Sequence, residues 1–257
     1  MNRATAIRNG FHATEGHTLV SVDLSQIELR TMADVSGDTH LLRAYERGED
    51  LHAQVAHELL GAPKGKANQD DSAHRLPAKT MNFGIINGMT EYGILDQLHE
   101  AGQLHWDIDQ VREMRAGWFR LHRGVDRFWQ DQIAHGRRWG YILNKFGRRR
   151  YLAGLRSQDD RVRAKTEREA LFSIQSTADD ISKVWNRRIW QTVIQPRLRE
   201  GKRYCEWWCR VHDDTILEVD SRIARAVRQE MLACVPQLLR IPTTAEGKMG
   251  QRWGELH

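Results

Sequence analysis

Two short apolar runs, each meeting an acid and lying near opposite ends of the chain, constrain the fold more than any other feature. The first runs from His17 through Leu19, Val20 and Val22 to Asp23; the second spans Trp207 to Val219 and holds His212-Asp213-Asp214 at its centre. Both read as strands, the second as two arms around a turn. Isolated strands are not stable in water, so these must pair into one sheet. If they are neighbours, Asp23 and Asp213 arrive at the same place, and most of the remaining chain is folded between them.

That intervening chain is helical in pattern. Gln26–Val35 and Leu51–Leu60 show helical spacing, the latter ended by Gly61-Ala62-Pro63, and Asp38 is placed to cap a helix that Gly48 closes. The polar segment Lys64–Asp71 reads as a loop. A helix then runs to Ile86 and stops near Asn87-Gly88; Pro77 fits only a first turn, which puts the helix start, or a kink, near His74. Trp118, Leu121, Val125, Phe128, Trp129 and Ile133 recur as a core-facing stripe. Gly140–Leu143 with Phe146-Gly147 reads as a hairpin, Glu167–Trp190 as one long helix, and Ile223–Val235 as the last helix before a C-terminal tail. The chain is therefore α+β, mostly helical with a small antiparallel sheet.

Its 257 residues suffice for one large domain or two small ones. No apolar run has membrane-spanning length and no signal peptide opens the chain, so no membrane partner is expected and the expected location is the cytoplasm, or the host cytoplasm for a viral protein. Cys205, Cys209 and Cys234 make no disulfide framework; the first two could face one another on a helix, but two thiolates alone do not make a zinc site. The net charge of +5 is uneven: Arg137–Arg168 holds eleven Lys/Arg against Asp159, Asp160 and Glu167, leaving the rest of the chain acidic. A basic stripe of this kind suits a polyanion, and it is equally the pattern of a solvated face.

Three constellations carry chemistry. Asp23 sits where a strand turns into the helix bearing Gln26 and Glu28. Asp213-Asp214 sits at a turn, where adjacent carboxylates repel unless a cation lies between them, although acids at a turn can simply be solvated. Mg²⁺ binds through one or two carboxylates plus substrate phosphates, so Asp23 and Asp213 on neighbouring strands would form a two-metal platform. In the third, Arg75, Lys79 and Phe83 recur every four residues along one helix face; two cations and a ring suit a nucleoside triphosphate, and the same pattern can be an amphipathic surface helix.

In this order the three blocks resemble the signature motifs of family A, DNA polymerase I-like, DNA polymerases. Asp23-Leu24-Ser25-Gln26-Ile27-Glu28-Leu29-Arg30 is similar to the first motif, with Leu24 where the family has Tyr. Arg75, Lys79, Phe83, Gly84 and Gly88 match the second, with Asn87 in place of Tyr. His212-Asp213-Asp214 resembles the third, with Asp214 in place of Glu. Gly48–His52, Gly147–Leu152, Ile174–Asp179 and Trp253–His257 are smaller likenesses that extend the match along the chain.

The resemblance implies a right-hand architecture: palm at 1–47 and 146–257, and helical fingers at 48–145. It implies a DNA-directed DNA polymerase acting on primer–template DNA and deoxynucleoside triphosphates with two Mg²⁺ ions, for which Mn²⁺ can substitute. Asp23, Asp213 and the Leu24 carbonyl would be the metal ligands, and Asp214 would support the metals or the primer end. Arg75, Lys79 and His52 would hold the triphosphate, with Lys79 as general acid; Phe83 would pack on the nucleotide, and Glu28 would exclude a ribose 2′-hydroxyl. Gln26, Gln175 and His212 would contact nucleotide, template or primer. Asn87, Arg168 and the run Arg148, Arg149, Arg150 would bind DNA. Leu171 stands where the family has Asn. The resemblance begins at Ile7–Phe11, without the thumb and exonuclease domains that the family carries upstream, so the expectation is a fragment, one piece of a split polymerase with a separate thumb-bearing polypeptide, or a reduced enzyme. The competing expectation is a partly degenerate DNA-binding fragment that needs such a partner.

Overall fold

Strand β1 (His17–Leu24) buries Leu19, Val20, Val22 and Leu24 completely, so both its faces are covered. That accounts for its nearly unbroken apolar run, which a sheet with one wet face would not need. The computed structural model of the chain describes residues 7–63, 72–199, 201 and 204–256. The loop expected at Lys64–Asp71 and the closing His257 lie outside the described residues.

The chain divides into two compact units. One comprises the chain up to Ile27, Ala178–Leu238 and the chain from Thr243; the other comprises Glu28–Thr177 with Leu239–Pro242. The expected functional division at residues 47/48 and 145/146 is a different partition from this one. In the first unit β1 pairs antiparallel with β5 (Asp214–Asp220), which pairs with β4 (Cys205–Val211), and on its other side β1 pairs with β6 (Ala245–Gly250). Ala13, Leu19, Ile216 and Leu256 form a core cluster with Trp208 and Trp253 against it. Helix α10 (Ala224–Ala233) packs on β1 and β6. Its close approach uses Gly247, where a Cβ would lie 2.8 Å from Arg228 Cγ.

The second unit is almost wholly helical: α1 (Ile27–Ser36, which enters it at Glu28), α2 (Thr39–Glu46), α3 (Leu51–Leu60), α4 (Ser72–Ile86), α5 (Glu91–Glu100), α6 (Ile108–Leu121), α7 (Arg123–Trp139), α8 (Asp160–Glu169) and α9 (Phe172–Ile189, which leaves it after Thr177). A two-stranded hairpin, β2 (Tyr141–Leu143) with β3 (Arg149–Tyr151), lies between α7 and α8. Asp38 and Asp50 cap α2 and α3, each accepting two backbone N–H bonds at the helix start. The chain is thus α+β, mostly helical with a small antiparallel sheet, as its pattern indicates. Among the described residues no helix is long and apolar enough to cross a membrane.

Three expectations need correction, and one beside them holds. The helix expected at Glu167–Trp190 is two helices. Ala170 and Leu171, 0% and 2% exposed, turn into the core through i→i−3 bonds to Glu167 and Arg168. Among the described residues the helix with Pro77 starts at Ser72, close to the expected start near His74 and with Arg75 in its first turn, so that expectation holds. Cys205 and Cys209 lie on strand β4, with a register shift between Trp207 and Cys209, and burial pushes both thiols up to about 11. The C-terminal tail holds β6, whose sequence, Ala-Glu-Gly-Lys-Met-Gly, has no β-branched residue to announce it.

Candidate functional site

Asp23, the penultimate residue of β1, faces Asp214 of β5 on one side and Glu246 of β6 on the other. The β4–β5 connection is the two-residue turn His212-Asp213, strapped to β1 by a 3.3 Å bond from Leu24 N–H to the Asp213 carbonyl. That bond and the register put Asp213 beside the end of β1, so two of the acids singled out in the sequence meet at one end of the sheet. Asp23 is open to solvent on one side. Even so, the protein packed around its carboxylate, followed by the charges of Asp213 and Asp214 and, more weakly, Glu246, pushes it up to about 7. Asp214 is buried and accepts a 2.6 Å bond from Ser21 Oγ. Burial and Asp213 push it up to about 6, against the opposing pull of Ser21, Arg8 and Lys248.

Two backbone outliers flank these acids. Gln26 and His212, at φ +53° and +56°, are the non-glycine residues with positive φ among those described. At His212 the positive φ falls on the first turn residue, a place hairpin turns usually give to glycine. Strain of this kind collects where a side chain must be aimed.

The acids line a cavity of about 250 Å³ that Arg8 and Lys248 also enter. Among the described residues no three His, Cys, Asp or Glu side chains form a metal-ligating cluster. Acids crowded in this way, Asp23 and Asp214 with carboxyls pushed up and Asp213 beside them, still suit a divalent cation that completes its shell with phosphate and water oxygens, the usual mode of Mg²⁺. The residues present fit such an ion.

In the helical unit, α4 carries Arg75, Lys79 and Phe83. Arg75 is gripped by the α3 cap: Nη2 lies 2.8 Å from Asp50 Oδ2 and Nη1 donates to Oδ1 at 3.3 Å. Lys79 is exposed, and Phe83 lies against His52, ring centroids 5.5 Å apart. His52, which the resemblance places with Arg75 and Lys79 around the triphosphate, is enclosed by protein. It is 3% exposed, and burial lowers its pKa to about 4. Trp118 Nε1 can only donate, and does so to Asn82 Oδ1 at 2.7 Å; Asn82 Nδ2 therefore donates to His52 Nδ1 at 2.9 Å, and the ring proton sits on Nε2. A second proton would confront that N–H.

At the other end of α4, three sequence candidates converge. Gln175 donates to Asn87 Oδ1, and Gly88, at φ +63°, rests on Arg168, whose carbonyl oxygen would be 3.0 Å from an added Cβ. Of the arginine run, Arg150 pairs with Glu169 at 3.0 Å and lies over Phe172, while Arg149 lies over Tyr141.

The model of DNA polymerase family A matches residues 1–255. The chain belongs to DNA polymerase family A. Its similarity to the thermostable DNA polymerase I of Thermus thermophilus is 34% identity over 254 residues, 96% of this chain and 28% of that protein. To DNA polymerase I of Chloroflexus aurantiacus it is 33% over 254 residues, 97% of this chain and 25% of that one. A solved polymerase domain of Pol1 from M. smegmatis, in complex with DNA primer-template and dNTP, superposes with a TM-score of 0.81 at 30% identity, covering all of this chain and 43% of that one. The chain thus spans about a quarter of the length of these curated relatives.

Sequence reasoning missed several parts of this family A chain: Glu246 and Lys248, because two glycines hide the strand that carries them, and Arg8. Asn82 was also missed, and its one signal was a polar residue on the apolar face of α4.

Proposed function

We propose that this chain is the catalytic module of a DNA-directed DNA polymerase, transferring deoxynucleotides to a primer 3′-hydroxyl as a template directs. The observation that carries the reading is the gathering of Asp23, Asp213 and Asp214 around one cavity at the sheet end, with Asp214 opposite Asp23, an arrangement of acids that a cation would relieve. Family membership and the likeness to a polymerase domain solved with primer-template and dNTP support it.

Asp23 and Asp213, with the Leu24 carbonyl, would hold two Mg²⁺ ions, or Mn²⁺ in their place. When bound, such ions acidify the attacking hydroxyl and offset the charge of the departing pyrophosphate. Arg75, held by Asp50, keeps guanidinium donors for the triphosphate, and Lys79 both binds it and protonates the leaving group. Phe83 packs on the nucleotide. His52, neutral, positions Phe83 and Asn82. Glu28 crowds the sugar C2′. Gln26 and His212 reach nucleotide and primer from their strained backbones, and Asp214 braces the turn through Ser21. Asn87, Arg168, Gln175, Arg148, Arg149 and Arg150 bind DNA.

Primer extension with Mg²⁺ and deoxynucleotides tests this. Template-dependent extension that falls about a thousandfold or more in Asp23→Asn supports the reading; an equal rate in wild type and variant overturns it.

A further inference from the structure

The β2–β3 hairpin has two unlike faces. Register places Tyr141 opposite Tyr151 and Leu143 opposite Arg149, with Ile142 opposite Arg150 between them. Side chains alternate along a strand, so Ile142 and Arg150 share one face, and Tyr141, Leu143, Arg149 and Tyr151 share the other. Ile142 is 1% exposed, in a core cluster with Ile133 and Leu155. The opposite face is open: Tyr151 is 72% exposed and Leu143 37%. Folding alone would favour polar residues there. Trp139, 54% exposed at the end of α7, extends the face, linked through His135, whose ring lies 5.5 Å from Tyr141 and 6.4 Å from Trp139.

Arginines are interleaved with these rings. The Arg149 guanidinium lies 4.8 Å from the Tyr141 ring centroid and that of Arg138 4.9 Å from Trp139. From Gln132 to Gln158 the sequence contains seven Lys/Arg and no acid. Exposed apolar surface of this kind marks a binding face, and its charge selects a polyanion. The rings decide which polyanion. Bases in a duplex are already stacked on each other, whereas unpaired bases offer free faces to aromatic side chains, with arginine adding cation–π contact.

We propose that the outer face of this hairpin, with Trp139, is a docking platform for single-stranded nucleic acid, its bases stacking on Tyr151 and Trp139 and its phosphates meeting Arg138 and Arg149. The proposal deepens the polymerase reading and rests on it for its biological substrate, since template ahead of a primer end is unpaired.

The test measures binding, not synthesis. Fluorescence anisotropy with labelled dT20 and a labelled DNA duplex would compare wild type, Tyr151→Ser, Trp139→Ser and Arg149→Gln. Each ring variant should weaken dT20 binding roughly tenfold and leave duplex affinity within about twofold. Arg149→Gln should lower the salt dependence of dT20 binding by about 0.7 in slope. Tyr151→Phe, which keeps the ring, should bind dT20 as wild type does, a rescue that a folding defect would not show. Unchanged dT20 affinity in both ring variants overturns the proposal and points to another occupant, such as a protein. Equal loss of dT20 and duplex binding overturns it too. Primer extension on fully matched substrates, measured separately, reports on the polymerase reading alone.

Discussion

Asp23 of β1 stands directly opposite Asp214 of β5, while the next residue of β1, Leu24, bonds the Asp213 carbonyl in the turn just before that strand. Three acids drawn from two distant stretches of chain therefore share one sheet end, and without a cation they repel. Asp23→Asn removes a charge from this group. The metal-free variant should melt no lower than wild type at pH 8, and should lose the stabilisation by Mg²⁺ or Mn²⁺, which for one site at a hundred times Kd is about 2.7 kcal/mol. Thermal melts with and without metal check this; a metal-free variant much less stable than wild type would show that Asp23 is a structural residue.

Glu28 lies in the first turn of α1, five residues after Asp23 in sequence. A carboxylate near C2′ excludes a hydroxyl by bulk. Glu28→Ala should admit ribonucleotides and retain much of the deoxynucleotide incorporation. Single-nucleotide incorporation assays decide it, and loss of deoxynucleotide use with no gain of ribonucleotides would remove Glu28 from sugar selection.

His52 gives the helical unit an acid-sensitive point. Its folded pKa, about 4, lies below its ordinary value of 6.5, so the unfolded chain takes up a proton first as pH falls. Stability from this group is fully present above about pH 6.5 and is lost between there and pH 4, on the order of 3 kcal/mol in all. His122 is shifted the same way by burial, against the pull of Asp38. Urea unfolding at pH 7 and 4.5 should show a smaller acid loss in His52→Gln than in wild type. Equal losses would mean that His52 takes up its proton in the folded state.

Asn82 joins His52 to Trp118, all three buried. Asn82→Ala strands a donor and an acceptor, and should cost about 2–4 kcal/mol. Chemical denaturation measures it. A cost under about 1 kcal/mol would show that the two partners find replacements.

Gly88 combines a left-handed backbone with contact against the Arg168 carbonyl. Gly88→Ala should destabilise by about 1–3 kcal/mol and disturb the Gln175–Asn87 contact beside it. A variant as stable as wild type would mean that the turn relaxes freely.

The motifs were legible because each is local. Asp23 ends an apolar run, His212-Asp213-Asp214 interrupts one, and Arg75, Lys79 and Phe83 repeat with the helical period. What stayed hidden depends on partners distant in sequence. Nothing near residue 246 marks Glu246 as the neighbour of Asp23, because β6 is a strand by virtue of pairing with β1 and its own residues have little preference for it. The break at Ala170-Leu171 was invisible for the same reason, since two good helix formers leave the helix to be buried, Ala170 in a core that also takes Ile133 from α7 and Ile142 from the hairpin.

By itself, then, the sequence determined the class of the fold, the helix starts at Asp38 and Asp50, and which acids and cations were available for chemistry. Those follow from period, capping and charge, which act over a few residues. Only the tertiary structure decided that Asp23 meets Asp213, that Arg75 is held by Asp50, and that His52 is neutral inside a buried chain of hydrogen bonds. Register, burial and the pKa values that follow from them are set by what the rest of the chain places alongside, and no residue carries that information alone.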